Sequence, residues 1–547
     1  MKLACILCIV AWMGFPPRTG QCADQKPIAL DPDDPHYFLF RGRPAILVGS
    51  TEHYGAVLNR RFDQTKYLDT LKADGLNLTR TFSGVYREVP GSFHIEGNTL
   101  APDVDAYLSP WARSDTPGAR DGRNKFDLAK WNEAYFGRLK SFVVEAGRRG
   151  IVVEYVLFCP FYEEAMWNVS PMNVKNNVNG AGAIKRDQAY TLHNGKLLGF
   201  QDAFVRKAVT ELRDFDNVYY EICNEPYFGG VSLDWQQHIA QTISDTESQF
   251  AFRHLIAQNI ANGSKKIENP DPLVSIFNFH YANPPVAVSE NFALSKAISY
   301  DETGFKGTGD SVYRVHGWEF LLAGGAVYDN LDYSFTLGHE DGSARVKDPT
   351  PGGGGQSLRL QLKTLRQFVE SFQFVRMHPA DAITGLQPAG TIAHALAEPG
   401  RQYAIYFRQK TDEPAAVHFR LDLPAGEYRL QWLDPASGKS IGKMTIRAGS
   451  GATALRTPEF QVDLAAKITR VMPEPGISPS PRGRGGKRGS ALSIPIQLLR
   501  PLHQVHRKLL AGGRVEAADA PRVGSQQSAG DVHRAEHDVP LAHVQHL

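Results

Sequence analysis

Hydrophobic and polar positions along this chain alternate between two periods, short apolar runs and longer stretches with an apolar residue every third or fourth place. The short runs predict strands at Ala45–Gly49, Leu76–Thr81, Ile151–Phe158, Val218–Asn224, His254–Asn259, Val274–Phe279, Ala297–Glu302 and Gly324–Asp329. Between them the helical period predicts helices at Phe62–Ala73, Ala129–Arg148, Phe200–Asp214, Leu233–Ser248, Tyr313–Leu322 and Leu358–Phe374. Repeated strand-helix units of this kind predict an α/β fold, a (β/α)8 TIM barrel over 31–378, although the connections flanking the sixth strand are too short for full helices. An open doubly wound sheet is the rival architecture, but Val48-Gly49-Ser50-Thr51-Glu52 lacks the Gly-rich phosphate turn expected after its first strand. Tyr37–Pro44 reads as a hairpin with Gly42 at its turn. Long inserts at Ser83–Lys125 and Pro160–Gly199 follow strand ends, where barrels shape their clefts, and they carry Tyr86, Tyr107, Trp111, Tyr162 and Trp167.

Beyond Pro379 the pattern changes to short alternating runs, Gln402–Phe407, Val417–Leu421 and Gly426–Trp432, separated by Pro- and Gly-containing turns. These predict a small antiparallel β-sandwich over 380–471. From 473 to 547 there is no sustained period, aromatic residues are scarce and Pro479–Arg488 is basic, so disorder is the expectation. That tail changes the charge picture. The whole chain carries a formal +2, but without the tail it holds 50 basic against 52 acidic residues, and a nearly neutral folded part gives nucleic acid no footing.

The first 23 residues have the form of an export signal: Lys2, an apolar stretch from Leu3 to Phe15, and a small-residue cleavage region at Gly20–Ala23. The expected location is secreted or periplasmic, with no stable membrane anchor. Cys5, Cys8 and Cys22 belong to this leader, which leaves Cys159 and Cys223. Two thiols exclude a disulfide scaffold, and whether they pair is open to sequence.

The candidate chemistry lies in two carboxylate motifs, Cys223-Asn224-Glu225-Pro226 and, 77 positions after Glu225, Asp301-Glu302-Thr303-Gly304. Each closes a predicted strand, where barrel enzymes keep their catalytic groups. Two carboxyl groups on opposite sides of an anomeric carbon are what glycoside hydrolysis requires. Such a pair implies a poly- or oligosaccharide substrate.

Tyr219–Pro226 and Ser299–Gly304, with the barrel between them, resemble clan A glycoside hydrolases, particularly family 5 cellulase-like enzymes, over roughly Asp31 to Phe374. The resemblance implies Glu225 as acid/base and Glu302 as nucleophile in retaining double displacement. It also implies Asn224 as a ligand of the 2-hydroxyl, Arg80 beside the nucleophile and His280-Tyr281 near both glutamates. Val327-Tyr328-Asp329-Asn330 stands where that family places a tryptophan floor, which puts Tyr328 among the substrate-binding candidates. Phe158-Cys159-Pro160-Phe161 lacks the family's third-strand histidine. Gly426-Glu427-Tyr428 through Gly438 is similar to a collagen-binding-type sandwich module that follows such barrels.

No cofactor or metal is implied, since the chain has no His-Glu-x-x-His run or paired cysteine set with ligand spacing. To serve as an acid near neutral pH, Glu225 is expected to be raised in pKa by burial or by the Glu302 charge. Glu52-His53 offers a further substrate contact. Two other readings stand beside the glycosidase: an inactive secreted carbohydrate-binding or adhesion protein, and a metal-assisted hydrolase using His53, His280 and nearby carboxylates.

Overall fold

The computed structural model describes residues 26–410, 413–449 and 451–471. The leader and the basic tail lie outside the described residues.

The eight expected strands form one parallel sheet: Leu47–Thr51, Leu78–Phe82, Val152–Phe158, Val218–Cys223, Ile256–Asn262, Ile276–His280, Ala297–Glu302 and Val327–Leu331. From the second to the eighth each pairs with the next in chain order, and the eighth returns to pair with the first. The seam between strands one and two is closed by Asn77, whose backbone N–H donates to Val48 O (3.1 Å) while its side chain bonds Val48 N and Ile46 O (2.8 Å each). Such strands are buried on both faces, inside by the barrel interior and outside by helices.

The helices lie close to their predicted positions, at Gln64–Ala73, Glu133–Arg148, Leu197–Leu212, Leu233–Glu247, Asp310–Leu322 and Gln356–Glu370. Asp63 caps the first by accepting from Thr65 and Lys66 N–H, and Ser232 caps the fourth through Trp235 N–H. Between strands five and six there is no helix, as the short connection required. One expected helix starts late. Residues 129–131 belong instead to Asn124–Trp131, an antiparallel partner of Trp111–Pro117, because Phe126 and Leu128 bury one face at period two and the helix begins only after extended Asn132. The hairpin Phe38–Phe40/Arg43–Ala45 turns at Arg41-Gly42, both at positive φ (50° and 74°), and pairs further with Ala29–Leu30.

After the barrel come two antiparallel sheets. One has six strands, in which Gln402–Arg408, Asp463–Arg470 and Gly426–Leu433 are central; the other joins Ile383–Gln387, His418–Asp422 and Ala452–Arg456. Their inward side chains, including Phe407, Phe419, Trp432 and Ile468, make a second hydrophobic core separate from that of the barrel. The sandwich grips helix Asp310–Leu322. Arg314 bonds Asp463 through both Nε and Nη2 (2.9 Å each), Arg408 reaches Glu319 (3.2 Å), and Trp318 stacks on Tyr406.

Candidate active site

Glu225 and Glu302 emerge at the C-terminal ends of strands four and seven, and one carboxylate oxygen of each lies within 4.8 Å of the other and of a ring nitrogen of His280. Strand seven reaches this position through a bulge. Tyr300 pairs with Phe279 and Glu302 with His280, so Asp301 is the extra residue. The bulge turns consecutive side chains toward the same cation: Arg80 Nε lies 3.4 Å from Asp301 Oδ2 and Arg80 Nη1 3.3 Å from Glu302 Oε2.

Arg80, on strand two, is fully buried and spans the barrel interior. It donates to Glu221 Oε2 (2.7 Å) and Asn224 Oδ1 (2.8 Å), stands 3.8 Å from Glu154 Oε2, and packs its guanidinium over the Tyr54 ring at 4.6 Å. One cation therefore serves several buried carboxylates. Burial pushes the Glu154 carboxyl up, as do the charges of Asp301 and Glu221, and burial likewise raises Glu221 and Asp329.

Two tyrosines hold Glu302 from opposite sides, Tyr281 Oη donating to Oε1 (2.6 Å) and Tyr54 Oη to Oε2 (2.9 Å). Glu225 is held by Tyr162 Oη on Oε2 (2.6 Å), Tyr227 Oη on Oε1 (3.2 Å) and His280 Nδ1 on Oε1 (3.1 Å). Asn224 is fixed by Arg80 on its oxygen and donates to Tyr162 Oη (2.9 Å) and Cys159 Sγ (3.6 Å). Tyr54, Glu225 and Tyr281 all have left-handed backbone, at φ 57°, 37° and 51°. For side chains of this size that costs about 1–2 kcal/mol each, and such strain gathers where geometry is fixed for function.

The electrostatics of Glu225 run against the sequence expectation. Burial raises its carboxyl, but the hydrogen bond and charge of His280 and the Tyr162 and Tyr227 hydroxyls outweigh it, and the net shift is downward. His280 responds in kind. Burial lowers it, yet the charges of Glu302 and of Asp301, 3.7 Å away, and its bond to Glu225 carry it well above the ordinary histidine range. The two groups titrate as one pair, and the opposed shifts favour the proton on the histidine, whose other nitrogen, Nε2, lies 2.6 Å from Asn259 Nδ2.

Of the seven residues singled out from sequence, Glu225, Glu302, Asn224, Arg80, His280 and Tyr281 meet here. Tyr328 does not. Its side chain leaves the barrel on the helical side, where Oη donates to Tyr313 O (2.5 Å) and the ring lies against Gly317; a Cβ on that glycine would be 2.9 Å from it. Its neighbour Asp329 faces inward instead, toward Thr51 Oγ1 (2.6 Å). Glu52 is also structural: it accepts from Gly55 N, Ala56 N and Thr99 Oγ1, and burial pushes it up to about 6. Of the insert aromatics, Tyr86, Tyr107, Trp111 and Trp167 are buried packing and Tyr162 reaches Glu225. Cys159 and Cys223 are buried free thiols.

Sequence reasoning missed Tyr54, Tyr227 and the inward acids Glu154, Glu221 and Asp301. Glu154 and Glu221 left a signal, since each is the one charged residue inside its strand. As to metals, the ligand atoms of Glu225, His280 and Glu302 converge, but tyrosine hydroxyls and Arg80 already engage these carboxylates. Glu154, Glu221 and Asp301 also converge, around the Arg80 guanidinium. His53 joins neither group. It pairs with Glu88 at 3.2 Å and stacks on Tyr54 and Tyr333.

Residues 94–263 match the family model described as Domain of unknown function (DUF6298), a span that includes Glu225 and stops short of Glu302. No curated protein sequence matches the chain. Among solved structures, the fold resembles a "putative glycoside hydrolase" of Bacteroides vulgatus ATCC 8482, with a TM-score of 0.60, 15% identity, and 82% of this chain and 83% of that chain covered. It also resembles a protein titled glycoside hydrolase (0.55, 14%, 81% and 97%) and a glycoside hydrolase family 5 protein of the same Bacteroides strain (0.54, 14%, 81% and 93%). At these identities the likeness concerns the fold: a parallel eight-stranded barrel with antiparallel sheets after it.

Proposed function

We propose that the protein is a retaining glycoside hydrolase acting on poly- or oligosaccharides, with Glu302 as nucleophile and Glu225 as acid/base. One observation carries the reading: the two carboxylates approach within 4.8 Å at the C-terminal mouth of a barrel. Retaining enzymes separate their carboxyl groups by about 5 Å, whereas inverting enzymes leave about 6.5–9.5 Å for an intervening water.

Glu302 attacks the anomeric carbon while the glycosidic C–O bond breaks, giving a glycosyl ester and releasing the leaving oxygen as a hydroxyl. Glu225 gives that oxygen its proton, with His280 Nδ1 3.1 Å from its Oε1. In the second half, Glu225 takes a proton from water, whose oxygen displaces Glu302 from the same carbon. Tyr54, Tyr281 and Arg80 hold the Glu302 carboxylate aimed at the anomeric carbon. Asn224, braced by Arg80, faces the sugar beside the acid/base. Export to the periplasm or medium, as the leader suggests, would bring the enzyme to such substrates.

The test is hydrolysis of a broad panel of aryl glycosides and polysaccharides by the parent, Glu302→Ala and Glu225→Ala. Activity lost in Glu302→Ala, and restored in Glu225→Ala by azide as a glycosyl azide of retained configuration, is expected. Hydrolysis that survives Glu302→Ala would remove the nucleophile assignment. A folded parent silent across the panel would favour a carbohydrate-binding protein.

A further inference from the structure

Around Glu225 the wall is aromatic. The Tyr162 ring, whose hydroxyl holds Glu225 Oε2, receives the edge of Phe93 at 5.5 Å and the tilted ring of Phe228 at 5.8 Å, and Tyr227 packs on Phe228 at 5.0 Å. Phe93, Tyr227 and Phe228 are 37%, 38% and 39% exposed, so three large aromatic side chains stand in solvent as one patch beside the acid/base. Around Glu302, Tyr281 carries Phe305 on its ring at 5.6 Å, and His53 pairs with Glu88 at 3.2 Å.

The aromatic wall is held firmly. Phe228 N–H donates to Glu225 O (3.0 Å), closing a turn directly on the acid/base. The next residues are glycines at φ 61° and 75° that run against neighbouring chain: a Cβ on Gly230 would come within 2.2 Å of Asp187 O. The Tyr227 hydroxyl is anchored between Glu225 Oε1 and Asn262 Oδ1, either of which can take its one proton. Exposed aromatics carried on a pinned turn lose little freedom when something covers them.

We propose that Phe93, Tyr162, Tyr227 and Phe228 form the leaving-group subsite, a ledge that takes the apolar face of the pyranose ring attached to the scissile oxygen. The inference rests on the hydrolase reading above. A carboxyl that protonates the leaving oxygen must touch it, so the ring borne by that oxygen lies over the side chains surrounding Glu225. The flat, exposed aromatic faces there match the C–H face of a pyranose.

The test compares a substrate with a leaving-group ring and one without. The full chain, Phe228→Ala, Phe93→Ala and the control Phe252→Ala, an equally exposed aromatic outside the ledge (37%), are assayed on aldopyranosyl fluorides and on oligosaccharides of the same sugars. Thermal melts confirm folding. Phe228→Ala is expected to lower the ratio of kcat/KM on the oligosaccharide to that on the fluoride about tenfold, and Phe93→Ala to lower it less. Phe252→Ala leaves the ratio unchanged. A parent active on both substrates whose ratio does not fall in Phe228→Ala overturns the ledge alone. A parent inert to every fluoride and oligosaccharide overturns the hydrolase reading and the ledge with it.

Discussion

His280 presents Nδ1 to Glu225 Oε1 at 3.1 Å and to Glu302 Oε1 at 3.5 Å, so a single imidazole touches both members of the carboxylate pair. Its pKa stands well above the usual value while that of Glu225 is drawn below its own. The opposed shifts make the histidine the favoured seat of a proton that the pair shares. Removing the histidine leaves a carboxyl as the only carrier, and a carboxyl surrenders its proton at lower pH. His280→Gln is therefore expected to move the alkaline limb of the kcat/KM profile toward acid, with residual activity at low pH. An alkaline limb that stays in place would refute the shared proton.

Tyr281 and Tyr54 each donate one hydrogen bond to Glu302, at 2.6 and 2.9 Å. A bond to a charged group contributes about 1.5–3 kcal/mol, so Tyr281→Phe should lower kcat about 10- to 100-fold. Tyr54→Phe should cost less, its bond being longer. Both variants should keep the parent's near-ultraviolet dichroism, and a Tyr281→Phe enzyme of full kcat would show that the hydroxyl plays no part in aiming the carboxylate.

Much of the barrel was legible because its cause is local. Alternation of period two with period 3.6 marks the strands and helices, and strand ends in this architecture converge on one face, which suffices to bring Arg80, Asn224, Glu225, His280, Tyr281 and Glu302 together. What failed was orientation. Tyr328 and Asp329 are consecutive, so one faces the barrel interior and the other the helices, and no local feature tells which; the room left by Gly317, eleven residues earlier in the chain, admits the tyrosine outward. The bulge at Asp301 was equally hidden, since it depends on pairing with strand six. The Glu225 shift failed for a third reason: the sequence names burial, but only the fold brings His280 and two hydroxyls close enough to outweigh it.

Buried acid beneath the site should show in stability. Glu154 is fully buried and its pKa is raised well above the ordinary value, chiefly by desolvation. A carboxyl raised in the folded state binds its proton more tightly there than in the unfolded chain. Its contribution is therefore full below the unfolded value of about 4 and declines as pH rises toward the folded value. Glu154→Gln keeps the acceptor for Asn278 Nδ2 (2.7 Å) and cannot ionise. It is expected to melt close to the parent at pH 4.5 and a few degrees above it at pH 8, with the gap widening between. A variant less stable than the parent at pH 8 would mean that Glu154 is ionised and needed by Arg80.

The sandwich should be energetically part of the barrel, because Arg314, on the helix that follows Glu302, is buried against Asp463 from the last sandwich strand. Removing one partner strands a buried charge, so Asp463→Ala is expected to cost about 3–5 kcal/mol. The loss should appear as a lower midpoint of one cooperative transition, since Glu319–Arg408 and Trp318–Tyr406 cross the same junction. Replacing both partners by apolar residues, Arg314→Met with Asp463→Leu, removes the stranded charge and should recover most of the stability lost by Asp463→Ala. Recovery would locate the cost in desolvation of the orphaned guanidinium. Separate barrel and sandwich transitions in the parent would instead show that the junction carries little energy, and that the sandwich does not brace the helix beside the nucleophile.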